Sequence, residues 1–457
     1  MRIFLSVALW GRKYAETFAQ YSLASQLAQG NLPLLGGKHQ LTYHIVTTRR
    51  DADWLRAQPT CRCLEQHCKV VWDLIEDHGY GLALIPTGPD GEKYPFLSRL
   101  QNISIARSIE HDVIIFNYAD FIWTNGALSR AIDMMRGDVD AILTFCPPVD
   151  SKKAKQALDA IGTGERTDAL SLPARTGAGI VVDHLHREAR RRIWGASTFT
   201  SLPTYLIWPV GDQGLLLRAY HQTVLALRVR PDDPGYRGGI ARASLDGYFT
   251  ATLAESGRVE FAADSDQVLV FSLYETRVNS SLRHGENREQ AMRKCLREFV
   301  SEGQRRFAEV PLFIKRDFTD SAAWEATARE SWRILSHFHL TTPCDRAAFD
   351  EAHDAFGNIA SLEQRWQRPK PETAGAMLAY ALAMLRIWFY RTIMSRHLAG
   401  RLGRVGKRVL GRARAREWRL WMEHWMFSKR RAPDLHVRPT RRLRPGHNSR
   451  GGSSVGG

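Results

Sequence analysis

The sequence predicts a mixed α/β fold built on a mostly parallel sheet. Continuous apolar runs that end at turn residues alternate with segments of helical period. Strands of this kind are buried on both faces, which is typical of a parallel sheet covered by helices. Beyond about residue 280 only helical spacing remains. The predicted class is therefore α/β, a Rossmann-type sheet with flanking helices followed by a helical C-terminal region.

The elements of the first part follow one another in alternation. An apolar run at residues 3–9 predicts the first strand, which ends at Trp10-Gly11, and residues 12–29 have helical spacing. The later predicted strands are residues 42–48, 69–74, 113–116 and 140–145. The helices predicted beside them are residues 51–57, 95–110 and 127–136.

The middle of the chain is less regular. Residues 151–175 are polar and contain Gly162-Thr163-Gly164, which predicts a loop. The sequence GAGIVV at residues 177–182 predicts a strand, and residues 215–227 and 267–273 are further apolar runs. We therefore expect a sheet domain at residues 1–275, a helical region at 276–400 and a basic, amphipathic, partly disordered tail at 401–457.

Composition excludes several classes of protein. At 457 residues and 44% hydrophobic content the chain resembles ordinary globular proteins. No stretch reaches the roughly 18 uncharged apolar residues of a transmembrane helix, and the apolar core of the N-terminus is too short for a secretory signal. Six cysteines in so long a chain do not predict a disulfide framework. We expect a cytoplasmic protein.

The net charge of +16 is concentrated in the tail. Residues 401–450 contain 16 Lys and Arg against three acids, which accounts for +13 of that charge. Aromatic residues are interleaved with these cations, namely Trp418, Trp421, Trp425 and Phe427. The pattern suits an amphipathic helix on an anionic membrane surface, such as the inner face of the cytoplasmic membrane. Non-specific nucleic-acid binding and a solvated end of a helical bundle are the alternatives.

Several candidate ligands fall at predicted strand ends, where open α/β sheets bind their ligands. Asp120 follows residues 113–116, His221 ends the run LLLRAYH, and Asp246 lies in the turn-like sequence SLDG. Asp264 and Asp266 precede a further apolar run. Carboxylate oxygens suit Mg²⁺ or Mn²⁺, and Mn²⁺ accepts imidazole. The pattern favours a site for a divalent cation and a diphosphate, with a separate carboxylate as base.

Each candidate also has a purely structural interpretation. Asp120 could cap the helix predicted to begin near Thr124, and Tyr118 could be a packing aromatic at a strand end. His221 could be a satisfied core histidine, because its neighbours are apolar. Asp246 precedes a glycine, as in a common turn.

The order of elements resembles the GT-A type glycosyltransferases, the nucleotide-diphospho-sugar transferase superfamily. The shared features are a strand ending at Trp10-Gly11, a helix, and a later strand ending in an acid. That acid belongs to the Asp-x-Asp motif of the superfamily, and here the tripeptide is Tyr118-Ala119-Asp120, without the first acid. The segments RAYHQTVLAL, SLDGYF and ADSDQVLVFSL resemble the second half of bacterial members. The resemblance covers roughly residues 1–275.

The resemblance implies a metal-assisted glycosyltransferase, a divergent bacterial member of that superfamily. The donor would be a nucleotide-diphospho-sugar, and the acceptor an envelope polysaccharide or a lipid-linked sugar. Trp10, Gly11, Tyr118 and Asp120 would bind the donor. Asp120 and His221 would hold Mn²⁺ or Mg²⁺, and Asp246 would orient the acceptor or act as base.

The missing first acid favours an alternative, a non-catalytic GT-A-like module that binds or scaffolds at the membrane surface. A third interpretation is a nucleic-acid-associated factor that acts through its tail. The cluster CRCLEQHC at residues 61–68 does not have the two separated ligand pairs of a structural zinc site.

Overall fold

A seven-stranded sheet lies at the centre of the fold in the computed structural model, which describes residues 1–78, 85, 93–162, 169–230, 245, 248–275, 287–350 and 352. The strands are β1 (Arg2–Ala8), β2 (Gln40–Thr47), β3 (Lys69–Leu74), β4 (Val113–Asn117), β5 (Phe121–Trp123), β6 (Ala141–Thr144), β7 (Pro148–Asp150), β8 (Tyr205–Val210), β9 (Gly214–Ala219), β10 (Thr223–Arg228), β11 (Val259–Phe261), β12 (Val270–Tyr274) and β13 (Leu312–Lys315).

The central sheet has the order β3-β2-β1-β4-β10-β6-β11. The first four strands in this order are parallel to one another. β10 runs antiparallel between β4 and β6, and β11 is parallel to β6. The mixed α/β class with a mostly parallel sheet is therefore confirmed. Two three-stranded sheets, β5-β12-β7 and β13-β9-β8, complete the described strands.

Helices connect and flank these strands. They are α1 (Arg12–Thr17), α2 (Leu23–Gln26), α3 (Leu32–Gly36), α4 (Arg49–Arg56), α5 (Pro59–Leu64), α6 (Lys93–Arg107), α7 (Ala127–Met134), α8 (Ser151–Ile161), α9 (Ala174–His184), α10 (Arg187–Arg190), α11 (Tyr248–Ser256), α12 (Arg288–Glu298), α13 (Glu302–Phe307) and α14 (Ser321–Thr341). A π-helical turn, Phe18–Ser22, joins α1 to α2, and a 3₁₀ turn, Ile75–His78, follows β3. Within the described residues, none of these helices is both long and apolar enough to cross a membrane.

The central strands are apolar on both faces because both faces are covered. Every residue of β4 is buried, as are all residues of β1 after Arg2. Parallel pairing aligns Val7 of β1 with Asn117 of β4 and with Ile45 of β2. The carboxyl ends of these three strands therefore lie at one edge of the sheet.

Three predictions of secondary structure were wrong. Residues 177–182 lie in helix α9 and not in a strand, since a short apolar run does not by itself distinguish the two. Residues 151–161, predicted as loop, form helix α8, in which only Ala154 and Leu158 present buried apolar side chains. Strand β13 interrupts the stretch predicted as entirely helical and pairs antiparallel with β9.

A buried arginine joins the last described helices to β9. The Arg218 guanidinium donates to the carbonyls of Ala308 and Ala328, each at 2.8 Å, and to Ser331 Oγ at 2.7 Å. Burial lowers the pKa of Arg218 to about 10. With a fourth bond, to the Glu309 carbonyl at 2.8 Å, the rigid guanidinium is paired with three backbone carbonyls and one hydroxyl.

The chain divides at residue 366. Met1–Trp366 forms one unit and Gln367–Gly457 the other, and all described residues belong to the first. The helical segments predicted beyond residue 352 and the basic tail at 401–457 lie outside the described residues.

The protonation of His339 is linked to folding. His339 lies in the last turn of α14, and its Nε2 is 3.0 Å from the Tyr220 hydroxyl. Burial, and then the positive charges of Arg305 and Arg218, lower the pKa of His339 to about 4. The folded protein therefore holds this imidazole in its neutral form.

We predict that the free energy of unfolding falls as the pH drops from about 6.5 to about 4. In this window the unfolded chain binds a proton at residue 339 that the folded protein excludes, which costs at most about 1.4 kcal/mol per pH unit. Urea unfolding across the window measures the slope. His339→Gln is neutral at every pH and should reduce the slope, whereas the control His337→Gln, at an exposed position, should not. Identical slopes for wild type and His339→Gln would contradict the prediction.

Candidate functional site

The candidate site lies where the order of strands reverses. The chain passes from β1 to β2 and β3 on one side, and β4 then pairs with the other side of β1. In open α/β sheets the loops diverge at such a switch point and leave a crevice beyond the carboxyl ends of the strands. Because Val7 pairs with Asn117, Trp10-Gly11 and Tyr118-Asp120 follow the two strands that border this crevice.

The turn after β1 is fixed by a buried carboxylate. Gly11 has φ 88° and ψ 135°, and its N–H donates to Asp51 Oδ2 at 2.7 Å. Asp51 is 5% exposed and also accepts from the Thr48 hydroxyl at 2.8 Å. A Cβ added to Gly11 would meet no atom within 4 Å, so open space lies beside this backbone. A ligand can therefore approach the main chain here.

Trp10 faces a neighbouring helix. Its ring packs edge to face on Phe96 of α6, with centroids 5.0 Å apart. The indole is half-buried and belongs to a small apolar cluster that includes Ala8 and Val46. One face of the crevice is thereby supported by packing of the β1 and β2 ends against α6.

Tyr118 and Asp120 lie in the turn between β4 and β5. The Tyr118 hydroxyl accepts from Gln101 Nε2 at 3.1 Å, and its ring lies 4.6 Å from that of Phe121. Asp120 is half-buried, and its carbonyl accepts the Leu273 N–H of β12 at 2.9 Å. The backbone of this turn is thus held between two sheets.

Asp120 does not cap the following helix. Helix α7 begins after Gly126, and Asn31 Oδ1 accepts the N–H groups of Gly126 and Leu128, each at 3.0 Å. Asn31 therefore takes the capping role that the structural interpretation gave to Asp120. The carboxylate stands instead in the turn at the end of β4.

The π-helical turn and helix α2, which follows it, support the same segment. Ser22 Oγ donates to the Tyr118 carbonyl at 3.2 Å, and Ser25 Oγ accepts the Trp123 N–H at 3.0 Å. Trp123, which is fully buried, donates its indole N–H to Asn117 Oδ1 at 3.0 Å. π turns are frequent at functional sites. Sequence reasoning missed the two serine contacts, because each joins residues more than 90 positions apart in the chain.

His221 lies at the same edge of the sheet. It precedes β10, whose first residue pairs with Thr144 at the carboxyl end of β6. His221 Nε2 lies 2.8 Å from the Phe299 carbonyl, which can only accept, so Nε2 carries the proton. A bond from this imidazole to a metal would therefore have to come from Nδ1.

Asp264 and Asp266 are each paired with a cation, away from the Asp120 turn. Asp264 pairs with Lys315 at 2.6 Å, and Asp266 accepts from Arg175 at 2.6 Å. Both precede β12, whereas Asp120 bonds to Leu273 near the other end of that strand. Asp246 and Gly247 lie outside the described residues.

The described residues offer a metal few protein ligands. Within the ranges that the structure describes, no group of three or more His, Cys, Asp or Glu side chains is arranged to hold an ion. Burial raises the pKa of Cys61 and Cys68 to about 12, so these thiols stay protonated. A single carboxylate such as Asp120 is compatible with Mg²⁺ binding, because Mg²⁺ often takes one or two carboxylates and completes its coordination shell with phosphate oxygens and water.

Comparison with known proteins does not assign a family. No family model matches the chain, and no curated protein matches it. Among solved structures, the apo form of mouse xyloside xylosyltransferase 1 aligns with 36% of this chain at 16% identity and a TM-score of 0.23. The aligned part spans 60% of that protein. A TM-score of this size carries no argument about fold or activity.

We predict that Gly11→Ala and Gly126→Ala both destabilise the protein but differ in their effect on the crevice. Both glycines have φ 88° and open space where a Cβ would lie. Each alanine should therefore lower the free energy of unfolding through backbone strain alone, by about 1–3 kcal/mol. Only Gly11→Ala should reduce the shift in unfolding temperature caused by UDP, GDP or CDP, because only Gly11 borders the crevice. Equal ligand-induced shifts in the two variants would contradict this placement.

Proposed function

We propose that this protein is a glycosyltransferase that moves a sugar from a nucleotide-diphosphate donor to an acceptor. The observation that supports the proposal is the position of Trp10-Gly11 and Tyr118-Asp120 after adjacent parallel strands, at the reversal of strand order. Ligands of α/β sheets bind at this position. The proposal also rests on the resemblance of these segments to GT-A enzymes.

Each wall of the crevice has a role in this proposal. The exposed backbone at Gly11 lets the nucleotide approach closely, since no side chain intervenes. Tyr118 contacts the base or ribose, and Asp120 lies at the diphosphate. Mg²⁺ or Mn²⁺, if bound, would neutralise the leaving diphosphate, with Asp120 and Nδ1 of His221 as its protein ligands.

Asp246 is proposed to act on the acceptor. An acceptor hydroxyl attacks the anomeric carbon of the donor sugar, and the bond from that carbon to the diphosphate oxygen breaks. The carboxylate of Asp246 takes the proton of the attacking hydroxyl, as a general base does. The nucleoside diphosphate leaves with the electron pair of the broken bond.

We predict that Asp120→Asn abolishes metal-dependent binding of one nucleoside diphosphate. Asparagine keeps the size of the side chain but removes the charge that would attract a cation. Calorimetric titration of UDP, GDP and CDP, with and without Mn²⁺, measures the binding and identifies the base. Asp120→Asn that binds as wild type does would remove Asp120 from the site.

Asp246→Asn is the matched control, because it should keep donor binding and lose turnover by roughly 10²–10⁴-fold. Hydrolysis of the donor nucleotide-sugar measures turnover. Wild-type protein that binds a nucleotide-sugar but neither hydrolyses nor transfers it would favour the scaffolding module, to which the missing first acid of the Asp-x-Asp motif points. Absence of binding to every nucleotide would overturn the glycosyltransferase proposal.

The tail suggests where the enzyme works. Its interleaved cations and tryptophans suit the anionic inner face of a membrane, where envelope polysaccharide and lipid-linked acceptors are assembled. We propose that the tail holds the catalytic unit at that surface.

We predict that deletion of residues 401–457 lowers co-sedimentation with phosphatidylserine-containing vesicles by roughly tenfold or more, since each lost cation removes about 1 kcal/mol. Deletion of residues 447–457 alone should not, because that segment carries only one Arg and no aromatic residue. Unchanged partitioning of the longer deletion would exclude the membrane role. Salt-sensitive binding to RNA, with none to vesicles, would favour the nucleic-acid interpretation.

A further inference from the structure

A lysine lies between helices α8 and α1 without a carboxylate partner. Lys155 Nζ donates to Thr17 Oγ1 at 2.8 Å and lies 5.1 Å from the centre of the Tyr21 ring. The side chain is half-buried. In the part of the chain that the structure describes, Lys155 forms no ion pair. A sheltered ammonium with only neutral contacts gives up hydration without gaining a counter-charge.

The acids around Lys155 are each engaged by another group. Glu275 pairs with Lys13 at 2.7 Å, and Glu16 pairs with Arg12 at 2.8 Å. In a separate contact, the Tyr21 hydroxyl donates to Asp159 at 3.0 Å. Burial lowers the pKa of Lys155. The negative charges of Glu275, Asp159 and Glu16 act in the other direction, and the positive charge of Lys13 lowers the pKa further. The three acids and the three cations of this group cancel in formal charge, but Lys155 is the cation among them that has no ion-pair partner within the described residues.

Two of the charges that act on Lys155, those of Lys13 and Glu275, belong to segments that adjoin the crevice. Lys13 is in the first turn of α1, directly after Gly11 and Arg12. Glu275 follows β12, two residues after Leu273, whose N–H binds the Asp120 carbonyl at 2.9 Å. The ion pair between Lys13 and Glu275 thus connects the segment after β1 with the strand that holds the Asp120 turn, and both of its charges act on Lys155.

We propose that Lys155, together with Lys13, binds the diphosphate of the nucleotide donor. The proposal rests on the proposed function, since it names the charge that the donor site supplies. Phosphate oxygens form strong charge-assisted hydrogen bonds with ammonium groups. Tyr118 puts a neutral side chain where the motif has its first acid, so the site repels a diphosphate less than two carboxylates would. The lysine cations then neutralise the diphosphate, because the described residues do not include a full set of acidic ligands for a metal ion.

The test is calorimetric binding of UDP, GDP, CDP and inorganic pyrophosphate to the full-length protein in EDTA. Lys155→Met should weaken binding of pyrophosphate and of the preferred nucleotide by roughly tenfold or more. Lys152→Met is the matched control, because it removes the same charge from an exposed position on the same helix. Lys155→Arg keeps the charge and should retain much of the binding. If Lys155→Met does not fold, Lys13→Met replaces it, since Lys13 is 64% exposed.

The outcomes separate this inference from the proposed function. Equal nucleotide binding by wild type and Lys155→Met overturns the lysine site and leaves the glycosyltransferase proposal intact. Pyrophosphate binding that depends on Lys155, with no nucleotide binding, supports the oxyanion site and overturns the proposed function. Absence of binding by wild type to every one of these probes in EDTA overturns the lysine site. Binding restored by Mn²⁺ would then show that a metal supplies the charge.

Discussion

The parallel pairing of β1 with β4 is the constraint on which the candidate site depends. Both strands are buried on both faces, with Ile3, Leu5 and Val7 fully covered. Side chains along such strands are committed to the core, so a polar group can meet a ligand only beyond the strand ends. The chain therefore places its chemistry in two short turns, and the quality of the site depends on how rigidly those turns are held.

The support for the two turns differs in kind. A charged group, Asp51, fixes the turn after β1 through one short hydrogen bond to Gly11. Neutral groups, Ser22 and Asn31, hold the segment that contains Asp120 and the start of α7. Buried polar groups that are fully satisfied in this way specify a single arrangement. The open space at Gly11 is thus bordered by backbone that has little freedom to collapse into it.

Much of the sheet could be predicted from the sequence, because β1, β4 and β6 are apolar runs bounded by turns, and β2 and β3 contain β-branched residues typical of strands. The switch point could not, since strand order is a property of long-range pairing. Asp51 gave a local signal, a Thr48-to-Asp51 capping pattern directly after a strand, but nothing local links it to Gly11. Trp123 and Ser25 are 98 residues apart, and no periodicity encodes such a contact. Asp264 was considered as a ligand, but it precedes β12 and pairs with Lys315, whereas the Asp120 turn contacts the other end of that strand.

Positive charge supports both the proposed diphosphate site and the proposed membrane contact. Two acids near the start of α1 are paired with cations, Glu275 with Lys13 and Glu16 with Arg12. Lys155 is half-buried and has no ion-pair partner among the described residues, and in such a setting an anion is attracted more strongly than at the open surface. The much larger positive charge of residues 401–450 is the basis of the proposed membrane contact.

The π turn at Phe18–Ser22 sets the rotational phase of the first helix. Because it winds one more residue into its turn than an α-helix does, the residues before it and those after it address different neighbours. Thr17 meets Lys155, while Ser22 meets the Tyr118 carbonyl. Deleting a single residue there would rotate one half against the other by about 100°. An insertion or deletion between Lys13 and Ser25 would therefore break one of these two contacts, whereas a change of length outside this segment would keep both.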